Sequence, residues 1–213
     1  MRFTHHTYAA APGGDLVLLN LAQGGYGCLP GCGALLTVTP GEDGVALADP
    51  ELERALLEMG AIEEGPARRR PAAAASERDL SGMALPRPQL SDLAALAGAL
   101  GQMNAEYRRA SFGEVIASAR LHGLGAGGDL ARIEELALVF RRMLPWIPWQ
   151  GVCLYRSWLL LAFLRRRGVS ATWVFGVQTY PFEAHCWLQA GDLVLDDYVE
   201  HVRGFAPILA LAP

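Results

Sequence analysis

The sequence lacks long apolar runs and an apolar block at its N-terminus, and it has few basic residues among its first 64 positions. Its uncharged apolar segments, such as Trp158 to Leu164, are far shorter than the roughly 20 residues a membrane-spanning helix needs. Residues 1–64 carry nine acidic residues but only Arg2 and Arg54, which argues against a module that binds phosphate groups. Met1 to Gly14 contains no apolar block, so we expect no signal peptide. We therefore predict a cytoplasmic protein with no membrane and no nucleic-acid partner.

Cysteine is scarce, with four residues in a chain of 213: Cys28, Cys32, Cys153 and Cys186. In a protein expected to stay in the cytoplasm these thiols should be reduced rather than paired. Apolar residues, by contrast, make up 52% of the chain, and charged residues 19%. That composition is typical of a folded globular protein, and the length allows one large domain or two small ones.

Residues 1–64 are predicted to form a small β-rich domain. A helix is expected from Pro50 to Met59, because Asp49 is a good N-cap and proline suits the first helical position. Its Leu52 and Leu56 fall on one stripe, which should pack on the sheet. The segment Ala34 to Val38 is compatible with either helix or strand. Three strand candidates are separated by glycine turns: Thr7 to Ala10, Leu16 to Leu21 and Tyr26 to Leu29.

Residues 65–90 have the proline- and alanine-rich composition of a linker. The run Arg68 to Arg70 is interpreted as a solvated charged segment, with a grip on an acidic partner as the alternative. Residues 91–213 are predicted to form a second domain of helices followed by strands, so the fold class is α+β. Its central helix should begin at Val152 or Cys153 and end at Arg167. Because its middle is apolar on all sides, this helix should be enclosed by the rest of the domain.

Cys153 is predicted to lie on the first turn of that buried helix. Unpaired N–H groups and the positive end of the helix dipole favour a thiolate there. His185 follows the helix, on a predicted strand from Ala184 to Gln189. A helix docked on a sheet can bring its N-terminal cysteine within hydrogen-bond reach of such a histidine.

An aspartate is predicted to face His185 across a hairpin. If the turn has three residues, Ala190 to Asp192, residue 185 pairs with Asp197 on the strand from Leu193. A two-residue turn at Ala190 and Gly191 would instead select Asp196. The alternation of Leu193 and Leu195 favours Asp197, whose carboxylate would orient the imidazole.

Cysteine, histidine and aspartate in this order predict acyl transfer through a thiolate. The hypothesis is that Cys153 attacks an amide carbonyl, His185 transfers the proton and Asp197 holds the ring. The Cys153 backbone N–H would stabilise the oxyanion, with Gln150 as a side-chain candidate.

A metal site is not expected. His185 and Cys186 should point to opposite faces of their strand and so could not share an ion. Cys186 should for the same reason face away from the active thiol and act as a packing residue. The pair Cys28 and Cys32 lacks a second ligand pair nearby. We expect no cofactor.

The region from about 138 to 200 resembles a known family. The segment Cys153-Leu-Tyr-Arg-Ser, the apolar helix that ends Leu164-Arg-Arg-Arg-Gly-Val, and Ala184-His-Cys-Trp are similar to the transglutaminase-like maturation proteases of lasso-peptide biosynthesis, the B proteins. The spacings from Cys153 to His185 and from His185 to Asp197 resemble that family too. Cys186 departs from the family, in which small residues such as alanine are usual at this position.

The resemblance implies a function for both parts of the chain. The second domain would be a papain- and transglutaminase-like cysteine protease that cleaves the leader from a ribosomally made precursor peptide. An ATP-dependent, asparagine-synthetase-like lasso cyclase would then join the new N-terminus to an Asp or Glu side chain. Residues 1–64 would be a winged-helix module that binds the leader as an added strand beside its third strand. The leader-binding residues would be Tyr26, Cys28, Leu29, Leu52 and Leu56.

Two other classes of function use the same residues. A transglutaminase or amide acyl transferase would pass the acyl group from the same triad to an amine. A non-catalytic peptide-binding adaptor would keep the N-terminal module and carry an inert thiol.

Overall fold

The computed structural model describes residues 1–106, 110–121, 128–147 and 152–213. The chain divides into two compact units. The first comprises Met1–Ala72, Phe175–Ala184 and Phe205–Ala210, and the second comprises Ala73–Val174, His185–Gly204 and Leu211–Pro213. Among the described residues, no helix has both the length and the apolar character needed to cross a membrane.

Residues 1–64 contain seven strands and one α-helix. The three predicted strands are confirmed as an antiparallel sheet in the order β2-β3-β4. The elements are β1 (Arg2–Phe3), β2 (Thr7–Ala10), β3 (Leu16–Asn20), β4 (Gly25–Leu29), β5 (Leu36–Val38), β6 (Val45–Leu47), α1 (Pro50–Glu58) and β7 (Ile62–Glu63). In the ambiguous segment Ala34 to Val38, the first two residues belong to a 3-10 turn, Gly33–Leu35, and the rest form strand β5, which pairs antiparallel with β6.

Helix α1 forms as predicted, because Asp49 caps it. The Asp49 carboxylate accepts hydrogen bonds from the backbone N–H groups of Glu51, at 2.7 Å, and Leu52, at 3.2 Å. Leu52 and Leu56 are buried, and Leu56 is completely so. They join a core with side chains from the first strands, among them Phe3. This core holds the helix against the small sheets.

The arginine run 68–70 is not a solvated segment, which corrects the sequence interpretation. Arg68 and Arg70 close on Asp43, which is 1% exposed: Arg68 Nε lies 2.6 Å and Arg70 Nη2 3.6 Å from its carboxylate. Arg70 also donates to the carbonyl of Thr7. Burial raises the pKa of Asp43, but hydrogen bonds and charge from the two arginines leave it below its usual value. Arg69 is exposed. The ion pairs with Asp43 and the hydrogen bond to Thr7 thus hold residues 68–70 in place within the first unit.

The rest of the chain supplies the remaining helices and a five-stranded sheet in the order β12-β9-β10-β11-β8. Strand β8 lies within the segment of linker composition and pairs parallel with β11. The elements are β8 (Arg78–Asp79), α2 (Leu90–Glu106), α3 (Phe112–Leu121), α4 (Leu130–Met143), α5 (Cys153–Arg166), β9 (Thr172–Gln178), β10 (Glu183–Ala190), β11 (Leu193–Val194), α6 (Val199–Val202) and β12 (Ala206–Leu211).

Helix α5 is the enclosed helix that the sequence predicts. Every residue from Ser157 to Leu164 is buried, and α5 contacts both α2 and α4. The helix ends where Gly168 adopts a positive φ of 79°. Burial on all sides fixes α5 in the second unit, and with it the position of Cys153 at its first turn.

Candidate active site

Cys153 opens helix α5 at the predicted position. Val152 is the N-cap, in an extended conformation, and its carbonyl accepts the N–H of Tyr155 at 3.0 Å. The Cys153 side chain is partly buried, and the N–H groups of the first helical turn lie beside it. Gln150, the side-chain candidate for an oxyanion hole, lies outside the described residues.

His185 and Asp197 are brought together by the structure. His185 lies on β10, 8% exposed, and its Nε2 is 2.6 Å from Asp197 Oδ2. The same carboxylate accepts the backbone N–H of Tyr198 at 2.8 Å and interacts with Nδ1 of His201 at 3.1 Å. Arg156 Nη2 lies 3.6 Å from it. Asp197 therefore holds the His185 ring through the nitrogen that faces it, Nε2.

Asp197 contacts His185, but not through the cross-strand pairing that the sequence predicts. The hairpin pairs Ala190 with Leu193, so its turn consists of the two residues Gly191 and Asp192 rather than three. Strand β11 ends at Val194, and the chain then bends. Cross-strand pairing therefore does not extend to residue 197, and the bend places the Asp197 carboxylate at the imidazole.

The early end of β11 leaves an edge of β10 for helix α5. The carbonyl of Leu188 accepts the N–H of Leu195 at 2.9 Å, while its N–H donates to Asp196 Oδ1 at 2.8 Å. Two residues before it, the carbonyl oxygen of Cys186 lies 3.2 Å from Ser157 Oγ of α5. Ser157 donates its one hydroxyl hydrogen to Asp196 Oδ2, at 2.6 Å. Asp196, the alternative triad member, thus links α5 to β10 instead of contacting the imidazole.

The Cys186 side chain does not face away from Cys153. This corrects the expectation, made from the alternation along the strand, that Cys186 is a packing residue turned away from the thiol of Cys153. Its side chain and its backbone N–H both hydrogen-bond to Cys153. His185 and Cys186 project from opposite faces of β10, as neighbours on a strand must. Because α5 seats Cys153 at the free edge of that strand, side chains from both faces reach one sulfur. Adjacent residues on opposite faces of a strand can thus reach the same atom when that atom lies at the edge of the strand.

The electrostatics of the site favour a thiolate–imidazolium pair. Hydrogen bonds from the Cys186 thiol, from His185 and from the Cys186 backbone lower the pKa of Cys153 to about 4, against the effect of burial. Burial lowers the pKa of His185, but hydrogen bonds to Asp197 and Cys153 outweigh it and raise that pKa to about 9. Between these two values the sulfur is ionised and the imidazole protonated.

The two aspartates beside the pair differ in pKa. Burial raises the pKa of Asp197, but hydrogen bonds from His185, Tyr198 and His201 bring it down to about 2. Burial of Asp196 raises its pKa to about 6, despite hydrogen bonds from Ser157 and Leu188. Asp197 is therefore the carboxylate that carries a stable negative charge next to the imidazolium.

His201 is a neighbour of the site that sequence reasoning missed. It lies one helical turn after Asp197, on the short helix α6, and this spacing is the signal that could have found it. His185, Asp197 and His201 offer ligand atoms within 4.8 Å of one another, a group that could hold a metal ion. An ion there would replace the hydrogen bonds by which Asp197 holds both rings.

The residues predicted to bind a leader peptide fall into two groups. Tyr26, Cys28 and Leu29 lie on β4, an edge of its three-stranded sheet, and line a groove of about 550 Å³. Leu52 and Leu56 lie in the hydrophobic core instead of on the groove. The groove is also lined by Met59 and Ala61, which follow the end of helix α1 and are not among the predicted binding residues.

A known family matches this chain. The family model described as the transglutaminase-like superfamily matches residues 99–210, which is more than half of the chain and includes Cys153, His185 and Asp197. No curated protein and no solved structure matches it.

Proposed function

Because the chain belongs to the transglutaminase-like superfamily, we propose that it is a cysteine peptidase that removes the leader from a lasso-peptide precursor. The superfamily assignment is consistent with either a cysteine peptidase or an acyltransferase. The observation that carries the proposal is the arrangement of Cys153, His185 and Asp197, with a thiol of low pKa beside an imidazole of high pKa. A peptide is the proposed substrate because β4 presents a sheet edge beside a groove.

The proposed reaction has two steps. The Cys153 thiolate attacks the carbonyl carbon of the last leader residue, and the His185 imidazolium protonates the leaving amine as the C–N bond breaks. The core peptide leaves with a free N-terminus, and the leader stays on sulfur as a thioester. His185 then takes a proton from water, whose oxygen attacks the thioester. The leader departs with a free carboxylate, and the thiolate is restored.

Two further groups serve this reaction. Asp197 fixes the His185 ring through Nε2, so that Nδ1 is the nitrogen left for the sulfur and the leaving amine. The backbone N–H of Cys153, at the first position of α5, is the oxyanion donor that the described residues offer. These roles need no metal and no cofactor.

Residues 1–64 are proposed to recognise the leader, and residues 91–213 to carry the protease. A leader segment that adds as a strand beside β4 would gain main-chain hydrogen bonds, with its alternate side chains directed into the groove. Tyr26 contributes an aromatic wall, since its ring meets that of Phe182 edge to face, with centroids 5.8 Å apart. The single α-helix of this region, with a β5–β6 hairpin before it, gives a simpler frame than the winged helix of the resembling family.

The proposed partner is the ATP-dependent lasso cyclase. Leader removal creates the free α-amine that such an enzyme joins to a side-chain carboxylate. That condensation needs activation of the carboxylate, which ATP supplies. The peptidase and the cyclase would therefore act in sequence on one precursor.

The direct test is cleavage in H₂¹⁸O of a candidate precursor peptide, taken from a short open reading frame sought beside this gene. We expect a core with a free amine and a leader whose new carboxylate contains one ¹⁸O atom, both measured by mass spectrometry. An amine acceptor added to the reaction separates the rival activities. An isopeptide product without ¹⁸O would instead identify an acyl transferase, and leader binding without any product would identify an adaptor.

The groove predicts a second outcome, measured by fluorescence anisotropy of a labelled leader peptide. Tyr26→Ala and Met59→Ala should each weaken binding about tenfold, since each removes apolar contact area from the groove. The matched control is Leu57→Ala, because Leu57 is an exposed apolar residue of α1 that does not line the groove. Equal losses from the Met59 and Leu57 variants would show that the leader binds elsewhere.

A further inference from the structure

A second thiol, that of Cys186, lies against the Cys153 sulfur, and no step of the proposed reaction uses it. Cys186 is 2% exposed, and both its side chain and its backbone N–H hydrogen-bond to Cys153. Its other neighbour is Ser157, whose Oγ is 3.9 Å from Cys186 Sγ. The carbonyl oxygen of Cys186 lies 3.2 Å from the same Oγ. Backbone and side chain of Cys186 thus both pack against helix α5.

We propose that Cys186 is a positioning residue for the nucleophile: its S–H group donates a hydrogen bond that stabilises the Cys153 thiolate and holds it at the edge of β10. The proposal rests on the proposed function in one respect, the assignment of Cys153 as the nucleophile. Cys186 would be a hydrogen-bond donor to the thiolate in addition to His185.

In this hydrogen bond Cys186 is the donor and Cys153 is the acceptor. Burial of Cys186 raises the pKa of its thiol well above the usual value, and the neighbouring Cys153 raises it further. Cys186 therefore keeps its proton over the range in which Cys153 is ionised. A thiol facing a thiolate must be the donor, and a charged acceptor strengthens its hydrogen bond.

The same proton has a second acceptor within reach. Ser157 Oγ uses its own hydrogen toward Asp196 Oδ2, at 2.6 Å, so its lone pairs can accept from Cys186. When Cys153 becomes a thioester, its sulfur loses its charge and accepts only weakly. The Cys186 S–H can then turn to Ser157, and it returns when the thiolate leaves the acyl group. The Cys186 S–H group thus stabilises the free Cys153 thiolate more than it stabilises the thioester.

The test is the pH dependence of Cys153 alkylation by iodoacetamide, mapped by mass spectrometry in a Cys28→Ser/Cys32→Ser background. Cys186→Ala removes the donor, and we expect the midpoint of the profile to rise by about one to two pH units. Cys186→Ser keeps a hydroxyl donor of similar size and should restore the parent midpoint. An unchanged midpoint in Cys186→Ala, or a serine variant that behaves as the alanine variant does, overturns the proposal.

This readout is independent of peptide cleavage. If Cys153 is not the nucleophile, cleavage continues after Cys153 is alkylated, while the midpoints still report whether Cys186 donates to it. Failure of the proposed function and failure of the positioning role therefore give different results.

A measurement on the parent protein covers the case in which Cys186→Ala does not fold. In the same background at neutral pH, Cys153 is ionised and Cys186 carries the remaining S–H group. The infrared S–H stretching band of Cys186 should lie at lower frequency in this protein than in a variant that also carries Cys153→Ala. The Cys153 thiolate is the charged acceptor that lowers the frequency, and alanine removes it. Equal frequencies in the two proteins overturn the proposal.

Discussion

Cys153→Ala is expected to abolish release of the core peptide while leaving leader binding within about twofold of the parent. Alanine removes the sulfur that forms the thioester, so kcat should fall by at least about 10⁴-fold. The groove and the β4 edge lie within residues 1–64, far along the chain from Cys153. Cleavage is measured by mass spectrometry and binding by anisotropy of the labelled leader.

The control for this variant is another thiol of the same chain. Cys32 is partly buried against the core of the first unit and lies outside the proposed machinery, so Cys32→Ala should cleave at the parent rate. Retained cleavage by the Cys153 variant would end the nucleophile assignment.

Asp197→Asn is expected to lower kcat by about 10³- to 10⁴-fold, because the amide cannot stabilise the His185 imidazolium. The parent should be active between pH limits near the pKa values of Cys153, about 4, and His185, about 9. Activity is lost below the first value, where the thiolate is protonated, and above the second, where the imidazolium is deprotonated. Removal of the Asp197 charge lowers the pKa of His185, so the alkaline limit should move to lower pH.

Asp196→Asn is the matched comparison. Asp196 contacts Ser157 and Leu188 rather than the imidazole, and burial, which raises its pKa to about 6, disfavours its charged form, so a neutral amide avoids that burial cost. We expect a loss of about tenfold in kcat, through altered seating of α5, with the alkaline limit unchanged. A larger loss in the Asp196 variant than in the Asp197 variant, in kcat and in the pH profile, would reverse the two roles.

The position of Cys153 at the start of helix α5 could be predicted because its causes are local. The apolar stretch from Trp158 to Leu164 identifies an enclosed helix from composition alone, and the residues before it mark where the helix begins. The same holds for α1, where Asp49 and Pro50 are adjacent in sequence to the turn that they stabilise. Helix ends depend on a few neighbouring residues, so their positions can be inferred from a short window.

Contacts between distant segments were harder to predict. The sequence predicts Asp197 from a three-residue turn, whereas the turn has two residues and strand β11 ends at Val194. The segment Ala190-Gly191-Asp192 is compatible with either turn, because Gly191 can adopt a positive φ in both. The choice depends on what the strand packs against, which the segment itself does not encode.

Cys186 and the arginine run show the same limit. Alternation along β10 correctly places His185 and Cys186 on opposite faces, but it does not say that a helix end will lie at the strand's edge, within reach of both. Arg68 looked solvated because its partner, Asp43, lies 25 residues away along the chain. Both errors concern which neighbour a residue finds and not what kind of residue it is.

The intact mass of the protein during turnover tests most directly whether Cys153 forms a covalent acyl intermediate, as we propose. A reaction with the precursor peptide, quenched in acid within the first turnover, should contain enzyme heavier by the mass of the leader minus one water. Peptide mapping should place that addition on Cys153, and it should be absent when Cys153 is alkylated beforehand. Core release at the full rate from the alkylated enzyme, or an acyl group found on a different residue, would contradict the account.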